Sequence, residues 1–215
     1  MSFSRAWNKC AAKFPVLTLS VTNGVLAGSG NILAQSIMIY RDQDNKLGNN
    51  VSKEFNYVEV MRFFAYGFMF APISFKWVKY LDKRFPFKSV SASMGGKLPS
   101  TANSLLKQKK DAAFWSTVGK RVAYDQILFA PAAVALFIVS MGFLESKPVD
   151  KVKEDLKTSY LKNMVAGYLM WPAVQTITFS VIPLLYRVPF IGAANLIWNC
   201  TLSLLRADDV TLEII

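Results

Sequence analysis

The chain has 215 residues, 53% of them hydrophobic, with 25 Lys and Arg against 14 Asp and Glu. A formal charge of +11 on so apolar a chain requires that charges be segregated from apolar residues, as in a membrane protein. Histidine is absent, which excludes Ser-His-Asp and Cys-His hydrolases, His-ligated metals and imidazole proton shuttles.

Residues 1–14 contain no acidic side chain and place Arg5, Lys9 and Lys13 at a helical spacing. This segment reads as an amphipathic helix similar to a mitochondrial targeting helix, ended near Pro15 and lying at the membrane interface. Stretches free of Asp, Glu, Lys and Arg follow at 14–40, 63–75 (apolar on to Leu81), 126–144, 163–186 and 188–205. A helix needs about 20 residues to cross a hydrocarbon core of ~30 Å. The expected fold is therefore all-α. It is a multi-span transmembrane helical bundle of four to five membrane helices with amphipathic interfacial helices, in a single integral-membrane domain over residues 1–215. The count turns on whether the chain breaks between Pro183 and Pro189, around Arg187. Ile127–Leu144 (ILFAPAAVALFIVSMGFL) has no polar stripe, which argues against a soluble bundle.

Three polar segments separate the stretches. Arg41–Asn56 reads as a loop, and residues 82–121 as a basic extramembrane loop with a Ser/Gly/Pro-rich centre. Residues 145–162 read as an amphipathic interfacial helix. With five spans, the Lys/Arg excess puts the N-terminus and the basic loop on the cytosolic or matrix side. That loop suits anionic membrane lipids as partners.

Polar groups inside hydrocarbon are costly, and they face a partner or an aqueous cavity. Here they cluster: Arg62, Asp125, Gln126, Asn163, Gln175, Arg187 and Asn199 lie in or beside the apolar stretches, with Asn23, Asn31, Gln35 and Asn195. Two readings stay open. The groups line a solute path, or they are interhelical hydrogen bonds of about 0.6 kcal/mol each that fix packing. Arg121 lies one turn before Asp125, at the spacing for a local ion pair. Gly24, Gly28 and Gly30 form a small-residue face for close helix packing, within the chain or between protomers. Pro72, Pro131, Pro172 and Pro183 each remove a backbone donor and bend or break a helix. Cys10 and Cys200 match no metal or redox spacing and read as buried thiols at helix interfaces. Without histidine or a Gly-rich phosphate loop, the expectation is a non-enzyme with no cofactor and no bound metal. The short run Lys107–Lys110 reads as solvated or lipid-facing, so no nucleic-acid partner is expected.

The run Trp171-Pro172, Gln175, Phe179, Pro183, Arg187, followed by Trp198-Asn199 and Leu202-Ser203, resembles the signature of the 22-kDa peroxisomal membrane protein family. That family includes the mitochondrial inner-membrane proteins of the Mpv type. Asp125-Gln126 followed by Pro131 is similar to a second family motif, and Arg62, Gly67, Pro72, Trp77 and Leu81 to a third. Asn31, Phe75, Val78, Tyr160 and Thr178 depart from the pattern, which marks a divergent member. The resemblance implies a channel or permeability factor for small metabolites, expected here to be anionic, in the mitochondrial inner or peroxisomal membrane. The alternative is a non-catalytic accessory or structural subunit of a larger mitochondrial inner-membrane complex. A homo-oligomer or a larger membrane assembly is the expected protein partner.

Overall fold

The computed structural model describes residues 10–44, 54–87 and 111–212, with side chains described at 10–40, 54–87 and 111–198. Most of the 1–14 helix, the centre of the 82–121 segment and the side chain of Cys200 lie outside the described residues.

The described residues contain helices and no strand. Helix α1 (Pro15–Asp44) is rich in small residues and free of acids until its last turn. Helix α2 (Tyr57–Arg84) starts at Asn56, whose side chain accepts the Glu59 amide at 3.1 Å, and ends on Lys83 and Arg84. Those charges complement the two ends of the helix dipole. Helix α3 (Ala112–Tyr124) starts at Asp111, which accepts the Phe114 amide at 2.9 Å. It continues through a π-helical turn (Asp125–Phe129) into α4 (Ala130–Leu144). Pro131 has no N–H for the Ile127 carbonyl and crowds the preceding turn, which is where one extra residue per turn is accommodated. Helix α4 ends in a Schellman turn. The Lys147 amide donates to Gly142 at 3.0 Å and the Ser146 amide to Phe143 at 2.9 Å, with Ser146 at φ 55°. Helices α5 (Val149–Ser180) and α6 (Leu184–Leu212) meet at a short break over 181–183.

Among the described residues, three runs are long and apolar enough to cross a membrane: Pro15–Tyr40, Tyr57–Arg84 and Ala112–Leu144. The other two apolar stretches also form helices. The fourth joins the charged 149–162 segment in one 32-residue helix, and the apolar part of the fifth is Leu184–Trp198. Residues 149–162 are therefore continuous with the fourth stretch rather than a separate interfacial helix.

Neighbours in sequence pack antiparallel. Asn31 meets Glu59 and Asn23 meets Gly67 between α1 and α2. Tyr66 meets Phe137, Phe70 meets Phe129 and Trp77 meets Asp125 between α2 and the α3–α4 run. Gly142 meets Val152, and Tyr168 meets Gln126, between α4 and α5. Helix α6 returns alongside α1, with Gly192 against Asn23. The small residues make these approaches close. A Cβ on Gly67 would stand 2.7 Å from the Ala27 Cβ, and one on Gly24 would stand 3.1 Å from Phe64. The Gly24–Gly28 face is thus filled within the chain, by Phe64 and Val60, and Gly30 is buried in α1.

Burial is inverted relative to a soluble protein. Leu169 is 85% exposed and Ile127 69%, while Arg121, Asp125 and Arg187 are almost fully buried. Outward apolar side chains with inward polar ones are what a lipid solvent demands. Several expectations change here. Arg121 does not pair with Asp125; its partner is Asp82. Both ends of the expected 82–121 loop that are described, 82–84 and 112–121, are helical. Pro72 and Pro172 sit inside uninterrupted helices, so Pro183 alone coincides with a break and Pro131 with the π turn. Cys10 is exposed rather than buried, because it precedes the α1–α2 contact.

Candidate functional site: a polar cavity between the helices

Helices α1, α2, α4, α5 and α6 enclose a cavity of about 850 Å³. One end is lined by Gln35, Glu54, Asn56 and Glu59 on one side and by Glu145, Lys147 and Asp155 on the other. The antiparallel order places both groups at the same end of the bundle. Glu59 precedes Asp82 by 23 residues of α2, about 34 Å of helix. Along α2 the cavity lining runs from Glu59 to Val78, past Tyr66 and Phe70, with Phe137 opposite, to Trp77, Asp125, Gln126 and Gln175.

Two hydrogen-bond clusters shape this acidic end. Gln35 clasps the backbone of Asn56, accepting its amide at 2.7 Å and donating to its carbonyl at 3.1 Å. Gln35 also donates to Asn31, and Asn31 donates to Glu59 at 3.0 Å. Opposite, the Lys147 ammonium bridges Asp155 and Glu145, each at 2.8 Å. Hydrogen bonds to Asp155 and then Glu145 raise the Lys147 pKa above its ordinary value, and Lys147 holds Asp155 below the usual carboxylate range.

At the deep end the π turn brings two consecutive side chains, Asp125 and Gln126, inward and buries both. The Trp77 indole N–H donates to Asp125 Oδ1 at 2.9 Å, and Gln126 Nε2 donates to Oδ2 at 3.0 Å. The Gln175 side chain lies beside Asp125 on the same stretch of cavity wall. The Tyr168 hydroxyl donates to the Gln126 main-chain carbonyl at 3.1 Å. Trp77 stacks on Phe129 with ring centres 5.1 Å apart.

One turn beyond Asp125 the cavity stops at a buried ion cluster. Asp82 pairs with Arg121 through Oδ1 and with Arg187 through Oδ2, the latter at 2.6 Å. Arg121 also donates to the Phe85 carbonyl, and Arg187 to the Ile182 carbonyl at 2.9 Å. These carbonyls lie just beyond the α2 terminus and in the α5–α6 break, where helical partners run out. Val78, Leu81, Phe87, Phe114, Val118 and Phe179 form one apolar cluster in the same region, and the Arg121 guanidinium lies over the Phe87 ring at 4.3 Å.

Of the residues singled out in the sequence, Asp125, Gln126, Asn163, Trp171, Gln175 and Trp198 line the cavity. Arg187 belongs to the ion cluster instead, Arg62 and Pro172 are not on the cavity wall, and the Asn199 side chain lies outside the described residues. Asp82 and Arg121 were not read as site residues, because they fall at the ends of what looks like an extramembrane loop. Their charge inside two helix ends is the only signal the sequence offers. The lining carboxylates are Glu54, Glu59, Asp125, Glu145 and Asp155, and the single lining base among the described residues is Lys147. The two buried arginines are held by Asp82, away from the cavity.

The protein sym1 of Aspergillus oryzae is 34% identical over 200 residues, spanning 92% of this chain and 94% of its own length. The model of the Mpv17 / PMP22 family matches residues 142–203. The chain belongs to the Mpv17/PMP22 family. The protein sym-1 of Neurospora crassa is 31% identical, spanning 94% of this chain and 99% of its own. The PXMP2/4 family protein 4 of Dictyostelium discoideum is 29% identical, spanning 91% and 89%. No solved structure gives a significant match. The region matching the Mpv17/PMP22 model holds Asn163, Trp171 and Gln175 of the cavity wall and Arg187 of the ion cluster. Membership makes this a membrane protein of a mitochondrial or peroxisomal membrane.

Proposed function

We propose that this Mpv17/PMP22 protein provides a gated path for small solutes across the mitochondrial inner membrane, favouring cations and neutral polar solutes over anions. The observation that carries this reading is the cavity itself. It is acidic at one end, carries polar side chains from several helices on a largely apolar wall, and ends one turn short of the Asp82–Arg121–Arg187 cluster. A carboxylate-rich mouth concentrates cations and repels anions. Interhelical packing alone would not require a cavity of about 850 Å³ in a bundle this size. The closed end makes the described arrangement a shut state, and passage requires the ion cluster to shift.

Liposomes loaded with a small cation, a neutral sugar or a small dicarboxylate test the reading. Efflux in the order cation, then sugar, then dicarboxylate supports it. Liposomes that leak no faster than protein-free controls contradict it. Fractionation with protease protection tests the membrane: recovery with peroxisomal or outer mitochondrial markers contradicts the inner-membrane assignment.

A further inference from the structure

The two ends of the bundle handle their charges differently. At the acidic end, Lys147 bridges Glu145 and Asp155, Lys151 pairs with Glu154 at 2.9 Å and Lys153 with Asp150 at 3.3 Å. At the closed end, Lys76, Lys79, Lys83 and Arg84 of α2 and Lys120 of α3 are exposed. Among the described residues none of these five forms an ion pair. The acids of the two segments are already engaged: Asp82 holds Arg121 and Arg187, and Asp111 accepts the Phe114 amide at the start of α3. Lys76, Lys79 and Lys83 follow one another at three and four residues on α2, a spacing at which like charges repel. The helix dipole offsets this only in the last turn, at Lys83 and Arg84. Helices α2 and α3 are locked together here, so the charges share one surface. Phe85 meets the Tyr124 ring edge-on at 4.8 Å, the Arg84 guanidinium lies over Phe85 at 5.3 Å, and Arg121 donates to the Phe85 carbonyl.

We infer that this basic surface of α2 and α3 docks the phosphate headgroups of anionic lipids. Charge complementarity selects an anion, because five exposed bases stand here without a protein counter-charge. Position selects a lipid over a soluble anion. The bases lie at the end of one membrane-length run, Tyr57–Arg84, and near the start of the next, Ala112–Leu144. Lysine stems can lie along apolar surface there while their ammonium groups reach the headgroup layer. Tyr80 is 48% exposed and Trp115 47%, which adds the amphipathic rings typical of a membrane–water interface. Beside Lys120 the α3 surface is open, with nothing within 4 Å of the Gly119 Cβ position. The inference does not depend on the proposed path and holds whether or not the cavity conducts.

The experiment uses the whole protein reconstituted in phosphatidylcholine bilayers. Spin-labelled phosphatidylglycerol or spin-labelled phosphatidylcholine is added, and electron paramagnetic resonance reads the fraction of label immobilised at the protein. The expected result is stronger association of phosphatidylglycerol, with a difference that narrows as salt is raised. A lysine near an anionic surface strengthens binding roughly fivefold. The combined Lys79→Gln, Lys83→Gln and Lys120→Gln variant should therefore bring phosphatidylglycerol close to the level of phosphatidylcholine. All three side chains are exposed, so the variant should fold. Lys151→Gln, Lys153→Gln and Lys157→Gln together remove as much charge from exposed positions at the opposite end and should keep the preference. Equal association of the two lipids with the unaltered protein, or an equal fall in both triple variants, overturns the site. Loss of the preference on adding glycerol phosphate, but not sodium chloride of the same ionic strength, would assign the surface to a soluble anion and overturn the lipid assignment.

Discussion

Asp82→Asn is the most demanding prediction for the architecture. Asp82 is 3% exposed and holds two arginines, of which Arg121 is 1% exposed. Asparagine keeps the shape and removes the charge. Two guanidinium groups then share a buried site with no counter-ion, held only by the Phe85 and Ile182 carbonyls. Removing one partner of a buried pair costs about 3–5 kcal/mol, because the desolvation already incurred is no longer offset. Against a total stability of roughly 5–15 kcal/mol, that is a large fraction. The loss should be non-additive with Arg187→Met, since deleting one arginine relieves part of the repulsion left by Asp82→Asn. A coupling of about 0.5–3 kcal/mol is expected. Reversible unfolding in mixed micelles, followed by circular dichroism at a fixed detergent ratio, measures both quantities. A loss below about 1 kcal/mol, typical of an exposed pair, or full additivity would refute the claim that these three charges form one buried unit joining α2, α3 and α6.

Gly67→Val should cost roughly 1–3 kcal/mol in the same assay, because even a bare Cβ there would stand 2.8 Å from the Asn23 carbonyl oxygen. Gly119→Ala is the opposite case: nothing lies within 4 Å of its Cβ position in the interior of α3, so a gain of about 0.5–1 kcal/mol is expected. Ser146→Gly should stabilise the α4–α5 turn, since Ser146 has φ 55° and a side chain in the left-handed region costs about 1 kcal/mol; an unchanged or lowered midpoint would contradict the Schellman assignment. The Lys147–Asp155 bridge gives a pH window. The Asp155 pKa is depressed, so its contribution is present at neutral pH and is lost as pH falls through the carboxylate range; the Lys147 pKa is raised, so its contribution is lost only as pH rises beyond the ordinary lysine range. Hydrogen exchange of the Glu145, Ser146 and Lys147 amides should stay slow relative to the intrinsic rate at neutral pH and lose protection as pH falls below the ordinary carboxylate range.

The helical membrane bundle was legible in the sequence because apolar runs without charge have few structural alternatives. The break near Pro183 was legible for the same reason, since proline sets a local constraint. Arg121 and Asp82 were not legible. A charged residue beside a Ser/Gly/Pro-rich segment reads as solvated unless its partner is known, and Asp82 and Arg121 are 39 residues apart. The sign of the cavity was hidden by the same effect. The chain as a whole carries +11, yet the charges facing the cavity are mainly Glu and Asp. The π turn at Asp125–Phe129 was signalled only by Pro131, and a proline there is equally compatible with a kink. Asn23 and Gln35 were visible as polar residues in an apolar helix, but only folding shows what they hold: Asn23 donates to the Gly67 carbonyl at 3.0 Å, and Gln35 clasps Asn56.

The central claim is that the acidic cavity is a route for cations. The most direct measurement is the reversal potential of the purified protein in a planar bilayer under a KCl gradient. The account predicts conductance above a protein-free bilayer, a reversal potential displaced toward the potassium equilibrium value, and a smaller displacement in Glu59→Gln. A bilayer that stays silent, or a reversal potential displaced toward chloride, would contradict it.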